Sequence, residues 1–221
     1  ERGEGCHVWD FDGKRYADFV SEYGAGLYGH SDPIIQAAIV ETLKKGIVLG
    51  APNRHEVELS ALLTQRFPAL DLVRFCNSGT EANLMAMSTA RAFTGRKSVM
   101  VFREAYHGGV LAFAHGGSPL NVPYPFVFGD YNDIDSAVAL IRAHKDELAA
   151  VELEPMLGGG GCIPADREFV AALRAETQKH GIVLIFDEVI TSRLSPGGLQ
   201  AKLGITPDLM SIGKYLGGGL T

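Results

Sequence analysis

A short apolar run that ends in two acids, followed later by a lysine, is the feature that most constrains this sequence. Residues 182–186 are all apolar, which is typical of a strand buried on both faces of a parallel sheet. Asp187 and Glu188 follow directly, at the carboxyl end of the strand, where open α/β sheets bind their ligands. Because a second predicted strand, 207–211, precedes Lys214, we expect that lysine at the same edge.

A buried carboxylate and a lysine delivered to one cleft suit pyridoxal 5'-phosphate (PLP). In PLP enzymes the lysine forms a Schiff base with the aldehyde, and an Asp keeps the pyridine nitrogen protonated so that the ring accepts electrons. The apolar run with two acids also fits a nucleotide hydrolase, which needs a phosphate loop where Gly-Lys precedes Ser or Thr. Arg15 and Tyr215 follow the two Gly-Lys pairs, so that alternative fails.

Composition and charge restrict the class of protein further. The 221 residues are 46% hydrophobic and 21% charged, which is typical of a globular chain with a large core. The net charge of −6 without a basic run argues against nucleic acid as a partner, and no apolar span is long enough for a membrane helix. Cys6, Cys76 and Cys162 are far apart, so we expect no disulfide framework and a reducing, cytoplasmic location.

Predicted strands and helices alternate along the chain, which indicates a doubly wound, mostly parallel α/β sheet. The predicted strands are 72–76, 98–102, 148–153, 182–186 and 207–211, and the predicted helices are 56–67, 80–93, 132–144 and 166–179. We divide the chain into an N-terminal segment of a hairpin and a helix, 1–45, and a large domain, 46–221. The chain begins without Met and ends after a glycine run, so we expect it to be part of a longer protein.

The segment 24–29 reads Gly-Ala-Gly-Leu-Tyr-Gly and matches the G-x-G-x-x-G fingerprint of NAD-dependent dehydrogenases. In that motif the glycines open a helix directly, and an acid follows about 20 positions later at the end of a strand. Here Asp32 and Pro33 begin the next helix only after the glycines, and Lys44-Lys45-Gly46 occupies the place of the acidic strand end. The dehydrogenase therefore remains a remote alternative.

Ser78, Gly79 and Thr80 stand between a predicted strand and a predicted helix. Backbone N–H groups and two hydroxyls at the positive end of a helix can bind a phosphate. Ser78 or Thr80 could equally be a simple helix cap, and capping uses the same geometry. The sequence around these three residues does not decide between the two interpretations.

Tyr106 and His107 follow the predicted strand 98–102. An aromatic ring at the carboxyl end of a strand can stack on a planar cofactor, and Gly108-Gly109 allows close backbone approach. A single Tyr-His pair is more often ordinary packing, so this pair gains meaning only together with the other motifs.

Taken together, the motifs resemble those of the class III PLP-dependent aminotransferases of fold type I. The matching segments are 8–13 with Tyr16 and Asp18, 77–82, 106–108, 154–155, 186–189, 207–209 and 213–214, in the family's order along nearly the whole chain. The resemblance implies the large domain of fold type I with part of an N-terminal small-domain segment. It also implies that the C-terminal domain is absent from this chain.

The resemblance implies a role for each matching position. Lys214 would be the Schiff-base lysine and the proton carrier, and Asp187 would bind the pyridinium nitrogen. Tyr106 and Val189 would pack on the two faces of the ring, and Ser78, Gly79 and Thr80 would hold the phosphate. His107 lies in the family motif, and Glu154 would support Asp187 without being a catalyst.

Within the family the chain is most similar to the β-phenylalanine (β-amino acid) aminotransferases, notably at 25–31 and 191–194. The resemblance implies transfer of an amino group from an aromatic β-amino acid to 2-oxoglutarate or pyruvate, in a homodimer with shared active sites. The chain also resembles glutamate-1-semialdehyde 2,1-aminomutases. Gly159 stands where those carry Asn, and Ser192 and Arg193 replace their Gly-Phe, so the aminomutase is the alternative.

Overall fold

A computed structural model describes residues 1–47 and 50–220. Val48, Leu49 and Thr221, which fall in the predicted domain 46–221, lie outside the described residues. Contacts divide the chain into two compact units, Glu1–Ser60 with Gly213–Thr221, and Ala61–Ile212. The predicted division between residues 45 and 46 stays a prediction.

The first unit contains a small antiparallel sheet and a helix. Its elements are β1 (Arg2–Glu4), β2 (His7–Trp9), β3 (Arg15–Ala17) and α1 (Pro33–Leu43). The predicted hairpin is confirmed as β2 and β3, and its turn is fixed by Asp10, whose side chain accepts the N–H groups of Asp12 and Lys14 at 3.0 and 2.9 Å. The predicted helix start is also confirmed, because the carboxylate of Asp32 caps α1.

The second unit contains the central sheet and the helices around it. Its strands are β4 (Ser98–Phe102), β5 (Tyr106–Gly108), β6 (Leu111–Ala112), β7 (Phe126–Gly129), β8 (Leu148–Leu153), β9 (Met156–Leu157), β10 (Ile163–Pro164), β11 (Val183–Asp187) and β12 (Leu209–Ser211). The α-helices are α2 (Arg54–Arg66), which begins in the first unit, α3 (Gly79–Thr94), α4 (Ile134–Ala143), α5 (Arg167–His180) and α6 (Gly198–Leu203). Among the described residues, five parallel strands pair in the order β12-β11-β8-β4-β7.

Side-chain alternation along the strands builds a core on each face of this sheet. Met100 and Phe102 of β4 pack in one cluster with Phe169 of α5, whereas Val99 and Val101 pack in the other with helix α3. Strands β4, β8 and β11 are buried throughout, which explains why their sequences are mostly apolar. The predicted doubly wound sheet is confirmed, with helices on both faces.

The predicted strand at 72–76 is wrong. In the part of the chain that the structure describes, this segment pairs with no strand, and the Leu72 side chain is 89% exposed. A strand exists only through hydrogen bonds to a neighbour, and the apolar composition of a segment does not supply that neighbour.

The glycines of the dinucleotide fingerprint are not placed as that motif requires. The first of them, Gly24, ends a short 3₁₀ helix, Ser21–Gly24, and α1 begins only at Pro33. The βαβ unit of a dinucleotide site is therefore not formed at 24–29, which contradicts the dehydrogenase alternative. Across residues 1–47 and 50–220, no helix is both long enough and apolar enough to cross a membrane.

Candidate active site

Asp187 lies at the carboxyl edge of the central sheet and is held by several hydrogen bonds. It ends β11, is only 5% exposed, and accepts four hydrogen bonds. Oδ2 accepts Nδ1–H of His107 at 2.8 Å and the Nδ2 amide of Asn83 at 2.7 Å. Oδ1 accepts the backbone N–H of Val189 at 3.0 Å and the hydroxyl of Ser211 at 3.2 Å. Four donors on two oxygens fix the orientation of the carboxylate.

His107 lies behind Asp187 and is itself buried. Burial works to lower the pKa of His107, but the charge of Glu152, together with the hydrogen bond and charge of Asp187, raises that pKa to about 9. The hydrogen bond and the charge of Asp187, which do not depend on the ionisation of Glu152, favour the imidazolium form of His107. No described residue accepts a hydrogen bond from its Nε2.

The start of α3 lies beside this cluster. Ser78 caps the helix, because its Oγ accepts the N–H of Glu81 at 3.1 Å, so the capping interpretation holds for this residue. The N–H groups of Gly79 and Thr80 are in the first turn, where no intrahelical carbonyl is available. Among the described residues neither group takes another acceptor. This end of α3 therefore presents free donors and a partial positive charge.

Glycines allow the start of α3 to approach its neighbours closely. A Cβ on Gly79 would lie 3.2 Å from Cγ2 of Val189, and a Cβ on Gly108 would lie 2.2 Å from Oγ1 of Thr80. The Thr80 hydroxyl also accepts the N–H of Gly109 at 3.2 Å. The start of helix α3 is thus in direct contact with strand β5 and with Val189, which follows Asp187 by two positions.

We expect Gly108→Ala to lower the free energy of unfolding by at least about 2 kcal/mol. The backbone φ of Gly108 is +139°, and the new Cβ would overlap the Thr80 side chain. Chemical denaturation measures the effect. Gly109→Ala is the matched control, because nothing lies within 4 Å of its Cβ position. Equal midpoints for the two variants would contradict the expected overlap.

Tyr106 is held by its backbone, and its side chain is 54% exposed. Its N–H donates to Oε2 of Glu154 at 3.0 Å, and the other oxygen of Glu154 accepts the N–H of Gly158 at 3.2 Å. Burial raises the pKa of the Glu154 carboxyl, and the charge of His107 acts in the opposite direction. Glu154 therefore ties two loops together and leaves the ring of Tyr106 accessible.

Glu188 serves a different purpose from its neighbour Asp187. It is fully buried, and its carboxylate accepts the N–H groups of Leu199 and Gln200 at 2.6 and 3.0 Å. The side chains of Gln200 and Thr191 donate to it as well, both at 3.1 Å. Of the two acids that the sequence places at the strand end, Asp187 contacts His107 and Glu188 holds the start of α6.

Lys214 lies in the first unit, three positions along the chain from the end of β12. It begins a 3₁₀ turn, Lys214–Gly217, and its φ of +53° is in the left-handed region that residues other than glycine seldom adopt. Its Nζ is 5.9 Å from the ring centroid of Tyr23.

The structure thus places most of the predicted site residues in the second unit, within a continuous set of contacts. These residues are Ser78, Gly79, Thr80, Tyr106, His107, Asp187 and Val189. Sequence reasoning did not assign roles to Asn83, Ser211 and Glu152, which surround Asp187 and His107. Of these three residues, only Glu152 is conspicuous in the sequence, because it interrupts the apolar residues of a predicted strand.

Comparison with protein families decides the class to which this chain belongs. The profile of the family described as Aminotransferase class-III matches residues 1–221. The chain belongs to the class III aminotransferase family. Class III aminotransferases use PLP, and similar solved structures include one described as a transaminase with PLP bound, at 33% identity and a TM-score of 0.91.

Among class III relatives, the β-phenylalanine transaminase of Variovorax paradoxus is 51% identical over 220 residues, covering 100% of this chain and 51% of the relative. A crystal structure of the β-phenylalanine aminotransferase from that organism matches with a TM-score of 0.96, over 100% of this chain and 51% of that chain. The crystal structure of an ω-transaminase from Sphaerobacter thermophilus matches at 42% identity with a TM-score of 0.92, over 100% of this chain and 55% of that chain.

A glutamate-1-semialdehyde aminomutase from Pseudomonas aeruginosa PAO1 is more distant, at 31% identity and a TM-score of 0.89, over 100% of this chain and 51% of that chain. The mixed α/β fold with a parallel central sheet is that of fold type I PLP-dependent transferases, as predicted. This class III chain spans about half the length of each of these relatives.

Proposed function

We propose that the complete protein is a PLP-dependent aminotransferase that moves an amino group from an aromatic β-amino acid to 2-oxoglutarate or pyruvate. The observation that carries the proposal is the Asp187 carboxylate, buried at a strand end and oriented by four donors beside the start of α3. The 51% identity to a β-phenylalanine transaminase supports the substrate class.

The residues present fit the cofactor. Asp187 is a buried carboxylate of the kind that holds a protonated ring nitrogen, and the free N–H groups at the start of α3 suit a phosphate. When bound, PLP supplies an aldehyde that captures an amine and a ring that accepts an electron pair.

Asp187 keeps a proton on the ring nitrogen through its negative charge. His107 and Asn83 hold Oδ2, and Val189 and Ser211 hold Oδ1, so the carboxylate does not rotate away from its ligand. Rigid orientation of a charged group before the reaction is a main source of rate enhancement in enzymes.

Ser78, Gly79 and Thr80 would hold the phosphate through first-turn N–H groups and hydroxyls. The helix dipole favours the dianion, and the absence of side chains at Gly79 and Gly108 lets the start of α3 pack closely against Val189 and β5. Capping by Ser78 orients the same turn, so the cap and the anion site support each other.

Tyr106 and Val189 would pack on the two faces of the cofactor ring. The accessible ring of Tyr106 offers an aromatic face, and Val189 offers a branched apolar one. Both residues are fixed at the backbone, Tyr106 by Glu154 and Val189 by Asp187.

With the cofactor bound, Lys214 would be the residue that anchors it and that then moves a proton at the substrate carbon. General acid–base proton transfer by a positioned side chain contributes about 10²–10⁴-fold to rate. We further propose a homodimer with shared active sites.

The test is a half-reaction on the complete protein loaded with PLP. β-Phenylalanine is added without a keto acid, and we expect the visible absorbance of the bound cofactor to bleach and to return with 2-oxoglutarate or pyruvate. 3-Phenylpropionate, which has the same aryl and carboxylate groups without the amine, is the control and leaves the absorbance unchanged. No bleaching by β-phenylalanine, with turnover of glutamate-1-semialdehyde, would assign the protein to the aminomutases instead.

A further inference from the structure

Glu152 is a charged residue in the middle of the buried central strand β8. Its side chain is fully buried, and in the parallel ladder it pairs with Ile185 of β11. Because side chains alternate along a strand, Glu152 projects to the same face as Glu154, two positions on. Asp187 stands two positions beyond Ile185 and shares that face.

No donor among the described residues reaches either carboxylate oxygen of Glu152. Nδ1 of His107 is 3.8 Å from Oε1, beyond hydrogen-bonding distance, and already donates to Asp187 at 2.8 Å. The three groups offer atoms that all lie within 4.8 Å of one another. A buried glutamate without a donor is rare and calls for an explanation.

The explanation is that Glu152 carries a proton. At full burial without partners, an ionised carboxylate is far more unfavourable than the neutral acid, whose single O–H also finds no acceptor among the described residues. Burial raises the pKa of Glu152 to about 8, with the charge of His107 opposing the rise and the charges of Asp187 and Glu154 adding to it. Among the described residues, these three ionisable groups are the ones that face Glu152, from β5, β11 and its own strand.

A metal ion explains the arrangement less well. Ligands in a tetrahedral site with bonds of about 2.0–2.2 Å lie roughly 3.3 Å or more apart. Nδ1 of His107 and Oδ2 of Asp187 are 2.8 Å apart, which is the distance of a hydrogen bond. The pair is already joined by a proton.

We propose that Glu152 is a positioning residue that stores a proton beside the His107–Asp187 pair and thereby sets the charge that Asp187 presents to its ligand. The inference rests on the proposed binding of the cofactor's ring nitrogen by Asp187. With Glu152 neutral, imidazolium and carboxylate cancel and the three groups carry no net charge. When Glu152 loses its proton to solvent, the three groups become negative and hold a cationic ring nitrogen more strongly.

Infrared difference spectroscopy of the holoenzyme and of the cofactor-free protein tests the stored proton. We expect the wild-type minus Glu152→Gln difference to contain the carbonyl stretch of a protonated carboxylic acid, absent from carboxylates, and to lose it as pH rises through about 8. Glu176→Gln is the matched control, because its pairing with Arg142 lowers the pKa of Glu176 to about 2. Carboxylate bands at pH 6, or a divalent metal bound in wild type and lost in Glu152→Gln, would overturn the proposal.

The pH dependence of PLP affinity separates positioning from a merely structural role. We expect wild type and Glu152→Gln to bind PLP equally at pH 6, and wild type to bind roughly tenfold more tightly at pH 9, because one additional negative charge then lies behind Asp187. Glu152→Leu, also uncharged, is expected to behave like Glu152→Gln. If the PLP affinities of wild type and Glu152→Gln differed by the same factor at pH 6 and pH 9, the role of Glu152 in cofactor binding would be refuted. The infrared measurement is also made on the cofactor-free protein, so its result does not depend on the proposed reaction.

Discussion

Replacing Lys214 with alanine is expected to reduce transamination by at least about 10⁴-fold while the protein stays folded. The amine is the group proposed to anchor the cofactor and to move the proton, and alanine provides neither function. Alanine and lysine meet the same backbone restriction at a φ of +53°, so the substitution adds no conformational strain. Steady-state transamination, the visible spectrum of the bound cofactor and the melting temperature measure the outcome.

The control for this substitution is Lys202→Ala, at an exposed lysine of α6. We expect normal turnover and normal cofactor absorbance from that variant. Near-normal transamination by Lys214→Ala would remove this lysine from the active site. Loss of turnover in both variants would instead indicate general damage to the protein.

Asp187→Asn is expected to lower kcat/KM by three or more powers of ten, equivalent to about 4 kcal/mol or more of transition-state stabilisation. A neutral amide does not hold a proton on the ring nitrogen, so the ring becomes a poor electron acceptor. The amide NH₂ must also face donors, either His107 and Asn83 or Val189 and Ser211. Some loss of stability is therefore expected as well.

Ser211→Ala is the matched control for the charge of Asp187. It removes one hydrogen bond of 3.2 Å and leaves the carboxylate ionised, so we expect less than about a tenfold loss in rate. Single-turnover kinetics with saturating cofactor compare the two variants without a contribution from weakened binding. An unchanged rate for Asp187→Asn would exclude this carboxylate as the partner of the ring nitrogen.

The buried strands could be predicted from sequence because both of their faces pack against helices. β4 and β8 were predicted with the observed bounds, and β11 to within one residue. The segment 72–76 looks similar in composition but has no pairing partner among the described residues. Strand pairing is a property of two segments, and a single segment's sequence contains only half of that information.

The site could be predicted only as far as its motifs reach. Asp187 and His107 were selected by position in a pattern, but their direct hydrogen bond depends on how β5 and β11 are placed in space. Asn83 faces inward from α3, and no local pattern distinguishes it from a residue in an ordinary helix turn. Glu152 was visible as an acid among apolar residues. Only the structure shows that its carboxyl group is buried without a hydrogen-bond partner among the described residues.

The neighbouring acids Asp187 and Glu188 divide two tasks because consecutive side chains leave the backbone in opposite directions. Asp187 is the acid proposed to hold the cofactor, and Glu188 supports the loop and the helix that follow it. Natural selection therefore acts on Asp187 and Glu188, two adjacent residues of one motif, through different properties of the protein. Under the proposed function, changes at Asp187 are penalised mainly through turnover, and changes at Glu188 are penalised through the amount of folded protein in the cell.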